Sequence, residues 1–257
     1  MITLASDFGS PYPAAMKGVI LQESDARLVD VAHDFPRQDV RTAAFWLREV
    51  LPWFPPAVHL VVVDPGVGTD RAAVVARAGN HALVGPDNGV CLPAARRLAD
   101  GADEIEVFEI DLGDPASSTF HGRDVFAPAA ALAHDAGVEA FESRSEFAPV
   151  GEWTDLTFPE PTVENGRAEG EVLVVDGFGN AITNVPGEVL DERYGGTVRV
   201  NGESAPVEPT YAAVEAGQRL VTVGSHENVE LAVNRGRGAD AFGVGVGDAV
   251  SIDLDHA

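Results

Sequence analysis

The apolar pattern of this chain changes its period near residue 150, and no other feature constrains the fold as much. Before that point, short apolar runs alternate with segments of helical spacing. "ITLASDFG" reads as a strand ending at Asp7, "PAAMKGVILQES" as a helix and "ARLVDVAHDF" as a second strand. "DVRTAAFWLREVLPWF" puts Ala43, Ala44, Leu47, Val50 and Leu51 at helical spacing, with Asp39 as N-cap and Pro52 as stop. "AVHLVVVD" is a third strand, and "AAVVARAGNHALVGPDNGV" a hairpin turning at Gly79-Asn80. "CLPAARRLAD" and, after "HGRD", "VFAPAAALAHDAG" read as helices. Such alternation predicts an α/β domain over residues 1–150 with a mostly parallel sheet. Parallel sheets bind ligands at the carboxyl ends of their strands, and Asp7 and Asp64 both lie at such ends.

Residues 151–167, rich in proline and acid, read as a linker. Beyond it come "AEGEVLVVD", "NAITNVP", "GTVRVNG", "RLVTVGS", "NVELAVN" and "DAVSIDL", strands without convincing helices. They predict a smaller all-β barrel over residues 168–257.

Charge narrows the partners. The chain has 41 Asp and Glu against 17 Lys and Arg, a formal net charge of −24. A field of that sign repels nucleic acid and anionic membranes. The acid is spread through the chain rather than gathered in a tail, and Lys17 is the single lysine. This pattern reads as the surface of a halophilic protein adapted to high salt, the alternative being simply an acidic cytosolic protein; the first reading predicts loss of folded structure on dilution into low salt. Cys91 stands alone, which leaves no intramolecular disulfide and no cysteine-cluster metal site. The strand-like "MITLASD" does not read as a signal peptide, and no apolar run has membrane-spanning length, so a cytoplasmic location is expected.

The familiar catalytic motifs are missing. There is no P-loop, no complete G-x-G-x-x-G after a strand, no G-x-S-x-G and no H-E-x-x-H. What remains is polar residues at strand ends and glycine turns. Asp64 follows Val61-Val62-Val63 and needs a partner where it is desolvated. Arg71, across "PGVGTD", can fold back to pair with it in bidentate fashion. A structural salt bridge closing a tight turn accounts for the pair equally well. His121, between Phe120 and Gly122, is a cleft histidine or a packed turn residue. Asp7 is suited to the vicinal hydroxyls of a ribose, or to an Asx turn. In "DGFGNAITN", Asp176 and Asn180 suit the ammonium and carboxylate of an amino acid, or a hairpin turn.

Taken together, "SDFG", "MKGVI", "VDPGVGTDR", "GPDNGV", "TFHGRD", "FGNAITN" and "ELAVNRG" occur in the order found in the S-adenosyl-L-methionine (SAM) hydrolases, also called SAM hydroxide adenosyltransferases. The chain resembles that family, relatives of SAM-dependent fluorinating and chlorinating enzymes, over nearly its whole length. The resemblance implies hydrolysis of SAM to adenosine and L-methionine without metal or cofactor. It also implies a homotrimer, with SAM between the first domain of one subunit and the second domain of its neighbour. The family's Asp–Arg–His triad falls on Asp64, Arg71 and His121. Substrate contacts are implied at Asp7 and Phe120 and, in the second domain, at Asp176, Phe178 and Asn180, with Ser225, Glu230 and Asn234 nearby. Gly122 stands where the fluorinating enzymes carry a serine. Three alternatives stay open: a metal-dependent hydrolase using Asp7, Asp64, His121 and Asp124, a SAM or adenosine binder without turnover, and a SAM-dependent chlorinase.

Overall fold

The computed structural model describes residues 1–99, 105–113 and 116–255. Asp100, at the end of the expected third helix, lies outside them. The chain separates into two compact units, Met1–Thr157 and Phe158–Ala257.

The first unit is built on β1 (Ile2–Ser6), β2 (Leu28–Ala32), β3 (Val58–Val62), β4 (Ala73–Ala78), β5 (His81–Pro86), β6 (Ile105–Ile110) and β7 (Phe147–Pro149). They form one sheet in the order β2-β1-β3-β5-β4-β6-β7. The expected mostly parallel sheet is corrected here to a mixed one. The β2-β1, β1-β3 and β3-β5 pairs are parallel, whereas β5-β4, β4-β6 and β6-β7 are antiparallel. The cause is local. Gly79-Asn80 is a two-residue turn, and it reverses the chain where a parallel connection would need a crossover helix. β6 and β7 then extend the antiparallel half.

Among the described residues four α-helices accompany the sheet: α1 (Tyr12–Glu23), α2 (Val40–Val50), α3 (Leu92–Leu98) and α4 (Ala127–Ala136). α1 packs with α4, and α2 with α3. Strand alternation divides the side chains between two faces. Ile2, Leu4, Leu60, Val62 and Val84 join Met16, Ile20 and the alanines of α4 in one core. Asp39 caps α2 as expected, its Oδ1 accepting from Thr42 N at 2.9 Å. Before α4 the chain makes one π-helical turn, Gly122–Phe126, directly after His121.

The second unit contains β8 (Thr162–Glu164), β9 (Arg167–Val175), β10 (Ala181–Pro186), β11 (Thr197–Val200), β12 (Glu203–Pro206), β13 (Arg219–Val223), β14 (Asn228–Val233) and β15 (Ala249–Asp253). The order is β12-β11-β15-β9-β10-β14-β13, with β8 against β9, and every pair is antiparallel. A bridge between Val207 and Val221 brings the chain after β12 back to β13, so the sheet is almost closed into a barrel. Its interior holds Val172, Val185, Leu190, Val198, Val221, Leu231 and Ile252. A short helix, α5 (Gly238–Phe242), and two 3-10 turns, Gly187–Leu190 and Tyr211–Ala213, interrupt the strands of this unit. Among the described residues no helix is long and apolar enough to cross a membrane.

Candidate active site

Asp64 leaves the end of β3 and enters a tight turn. Its Oδ1 accepts from Gly66 N at 3.2 Å. Gly68 has φ +79°, and a Cβ there would meet Ser118 O at 2.9 Å, so the turn needs glycine. The turn brings Arg71 back as a fork. Arg71 Nε donates to Asp64 Oδ1 at 3.1 Å and Nη2 to Oδ2 at 2.6 Å. The two side chains are 10% and 5% exposed, so neither charge is strongly screened by water. Nη1 is fixed on Ala72 O at 2.6 Å, and the guanidinium lies 5.1 Å from the Phe126 ring centroid. Asn88, from "GPDNGV", donates to Val63 O at 2.9 Å and so holds the strand end from the other side.

His121 completes the set. Arg71 Nη2 also donates to His121 Nδ1, at 3.3 Å. A nitrogen that accepts cannot carry a proton, so the neutral ring has its hydrogen on Nε2. The pairing therefore exceeds a salt bridge closing a turn: one guanidinium joins a carboxylate and an imidazole that lie far apart in the chain.

Asp64 and His121 line one cleft of about 560 Å³, together with Asp7, Tyr12, Gln38 and Phe120; Arg71 holds both of them and is not part of the lining. That volume suits a nucleoside-sized ligand. Asp7 Oδ2 accepts from Gln38 N at 2.6 Å, and Gln38 has φ +62°. Phe8, Tyr12 and Phe120 meet edge to face, with centroids 5.5–6.1 Å apart. Gly122 is closely packed. A Cβ there would lie 3.0 Å from Met16 Sδ, 3.1 Å from Phe120 and 3.3 Å from Val62. A serine at this position would have to push these neighbours aside. Arg123 and Asp124 pair with each other at 2.5 and 2.7 Å. That guanidinium holds the Asp124 carboxyl below its usual range. Among the described residues, no group of three or more His, Cys, Asp or Glu could hold a metal ion.

The sequence-derived candidates of the second unit gather in part. Asp176 Oδ1 accepts from Phe178 N at 2.9 Å and Asn180 N at 2.8 Å, and its Oδ2 from Asn180 Nδ2 at 3.2 Å. This is an Asx-type turn whose tip presents Phe178, 81% exposed. Glu230, on β14, is 3% exposed and accepts from Tyr211 Oη at 2.6 Å. Burial, that bond and the negative charges of Glu230 and Asp176 push the Tyr211 phenol up. Ser225 lies in the turn between β13 and β14. Asn234 donates to Val214 O at 2.7 Å, a structural bond. Sequence reasoning missed Tyr12, Gln38 and Tyr211. Only Gln38, next to the N-cap Asp39, stood beside a readable signal.

Comparison with known proteins follows the division into units. The family model for the SAM hydroxide adenosyltransferase N-terminal domain matches residues 2–144, and that for the C-terminal domain residues 170–251. A protein of Salinispora tropica named "(R)-S-adenosyl-L-methionine hydrolase" is 41% identical, covering 98% of this chain and 97% of the relative. A Thermus thermophilus protein of the same name is also 41% identical, covering 96% and 97%. A crystal structure of an uncharacterised Thermotoga maritima protein superposes with TM-score 0.82 at 32% identity, covering 98% of this chain and 99% of that one.

Proposed function

The chain belongs to the SAM hydroxide adenosyltransferase family, and on that premise we propose that it hydrolyses SAM to adenosine and L-methionine. Water attacks the ribose C5′, the C5′–S bond breaks, and its electron pair returns to sulfur. The sulfonium cation becomes a neutral thioether, and one proton is released per turnover. The observation that carries this reading is that one guanidinium, Arg71, joins Asp64 and His121, and that these two line a cleft with Asp7.

A sulfonium is already a good leaving group, so the reaction needs neither acid at sulfur nor a cofactor. The demand is a water held in line with the C–S bond. Arg71 stabilises the hydroxide-like charge that develops on it. His121, with Nδ1 engaged by Arg71, offers Nε2–H to orient the water oxygen. A carboxylate has about four lone-pair sites. Asp64 uses three of them, for Arg71 Nε, Arg71 Nη2 and Gly66 N, which leaves one for a proton of the water. Asp7 takes the ribose hydroxyls, and Phe120 packs on the sugar. The carboxylate of Asp64 beside the nucleophile repels halide, and packed Gly122 supplies no hydroxyl to hold one. Both favour water over chloride.

The assembly in this reading is a homotrimer. A neighbouring copy's second unit supplies Asp176, Phe178 and Asn180 to the methionine moiety, with Ser225, Glu230 and Asn234 around them. The negative surface attracts the cationic substrate. SAM, being charged, does not cross membranes unaided, which places the enzyme in the cytoplasm. The curated relatives are named for the R form, so the proposed substrate is (R)-SAM.

The test is incubation of the purified protein with each sulfonium epimer of SAM, in concentrated KCl with EDTA and oxygen-18 water. Equal adenosine and methionine from the R epimer, with the label in adenosine, is the expected result. Intact SAM, activity only after a divalent ion is added, or 5′-chloro-5′-deoxyadenosine would each overturn the assignment in a different direction.

A further inference from the structure

Outside the triad, a relay of four side chains in the first unit begins one residue before Asp7. Ser6 Oγ and His33 Nδ1 are 2.7 Å apart. His33 Nε2 meets Asp30 Oδ1 at 2.9 Å, and Lys17 Nζ donates to Asp30 Oδ2 at 2.6 Å. The residue types are those of a nucleophilic Ser–His–Asp set, but Ser6 is completely buried. No substrate can reach its hydroxyl, so the relay is not a second hydrolytic centre.

Its position indicates another role. Gly9 N donates to His33 O at 2.8 Å. His33 therefore holds the chain on both sides of Asp7 and Phe8, with its ring on Ser6 and its carbonyl on Gly9. The segment that follows His33 ends at Gln38, whose N–H donates to Asp7 Oδ2 at 2.6 Å. Gln38 is a non-glycine residue at φ +62°, a conformation kept only where its surroundings enforce it. One loop thus fixes both the backbone that carries Asp7 and one oxygen of its carboxylate. Among the described residues no hydrogen bond to the other oxygen accompanies it.

We propose that His33 is a positioning residue for Asp7, setting the enzyme's affinity for the ribose of its substrate rather than the rate of its chemistry. This rests on the reading that Asp7 takes the ribose hydroxyls. Lys17 and Asp30 act as the outer anchor of the ring. They are partly exposed, and their ion pair contributes little by itself.

The experiment is a double-mutant cycle read with two substrates, SAM and its 2′-deoxyribose analogue. Asp7→Asn should abolish the preference for the ribose form. His33→Ala should raise KM for SAM about tenfold, the scale of one well-placed hydrogen bond, with kcat within about twofold. It should narrow the ribose preference and add nothing in the Asp7→Asn background. His33→Asn, which keeps a polar group near Ser6, should recover part of that preference. Ser6→Ala removes a single hydroxyl and should reproduce a smaller shift, so it carries the test where His33→Ala does not fold.

A His33→Ala enzyme that loses kcat with its ribose preference intact overturns the proposal. So does full additivity with Asp7→Asn. An Asp7→Asn enzyme that still prefers ribose instead removes the reading of Asp7 on which the proposal rests.

Discussion

β3 carries a polar residue near each end of its run, and the two ends treat polarity in opposite ways. Near its start, His59 is completely buried. Its Nδ1 lies 2.7 Å from Thr3 Oγ1 and its Nε2 2.9 Å from His81 Nδ1, with the two imidazoles stacked. No carboxylate takes part in those bonds. Burial first, then the proximity of His81, lowers the His59 pKa to about 3. Just past its end, Asp64 sits with a full cation, an imidazole and an open cleft. The buried amino-end pair, His59 and His81, is held together with Thr3, where burial favours the neutral rings. The carboxyl-end set keeps charges and a lone pair in reserve. The difference shows where this sheet can do chemistry: where strands open into turns, charges find both partners and access.

The comparison breaks most sharply at Asp64. Asp64→Ala should lower kcat by about a thousandfold or more while SAM binding stays within a few-fold. Product formation and calorimetric titration measure the two, and unchanged turnover would remove Asp64 from the reaction.

The amino end should respond to acid instead. Because the folded-state pKa of His59 lies below the ordinary 6.5, its neutral form is the one that stabilises the fold. That stability is complete above pH 6.5 and is lost as pH falls toward 3. Between pH 7 and pH 5 the loss should be about 2 kcal/mol. Urea unfolding at both pH values, compared with His59→Leu, checks it. The variant is less stable at pH 7, but its loss between the two pH values should be smaller by that amount. An equal loss in both proteins would contradict the assignment.

The smallest effect concerns Asp39, at the N-terminus of α2 beside the cleft loop. Asp39→Ala removes the bonds to Thr42 and should cost about 1 kcal/mol, seen as a lower Tm with turnover retained. A parallel loss of turnover would mean that this cap, too, belongs to the carboxyl-end machinery.

Local chemistry was readable in detail. The cap at Asp39, the Gly79-Asn80 turn and the Asp176–Asn180 turn follow from residues a few positions apart. So did the bidentate use of Arg71 by Asp64, because the six-residue glycine turn between them returns the chain within reach. The mixed character of the first sheet was not readable. Sequence reasoning passed over β6, "IEVFEI", between α3 and α4, and nothing local shows which edge of the sheet it joins. The configuration at sulfur was equally invisible, since no motif encodes the hand of a pocket.

By itself, the sequence determined the alternation of elements, the break between two units, the acids at the strand ends and the ordered motifs that identify the family. These depend on periodicity and on neighbours in the chain. Only tertiary structure decided that Arg71 would reach His121, 50 residues on, or that His33 would meet Ser6 across 27. It also decided that Gly122 would be hemmed in by Met16, Phe120 and Val62. The physical reason is that strand order and packing set these contacts. Sheet order is chosen by the collective burial of two helix-covered faces, which no single stretch of the chain contains.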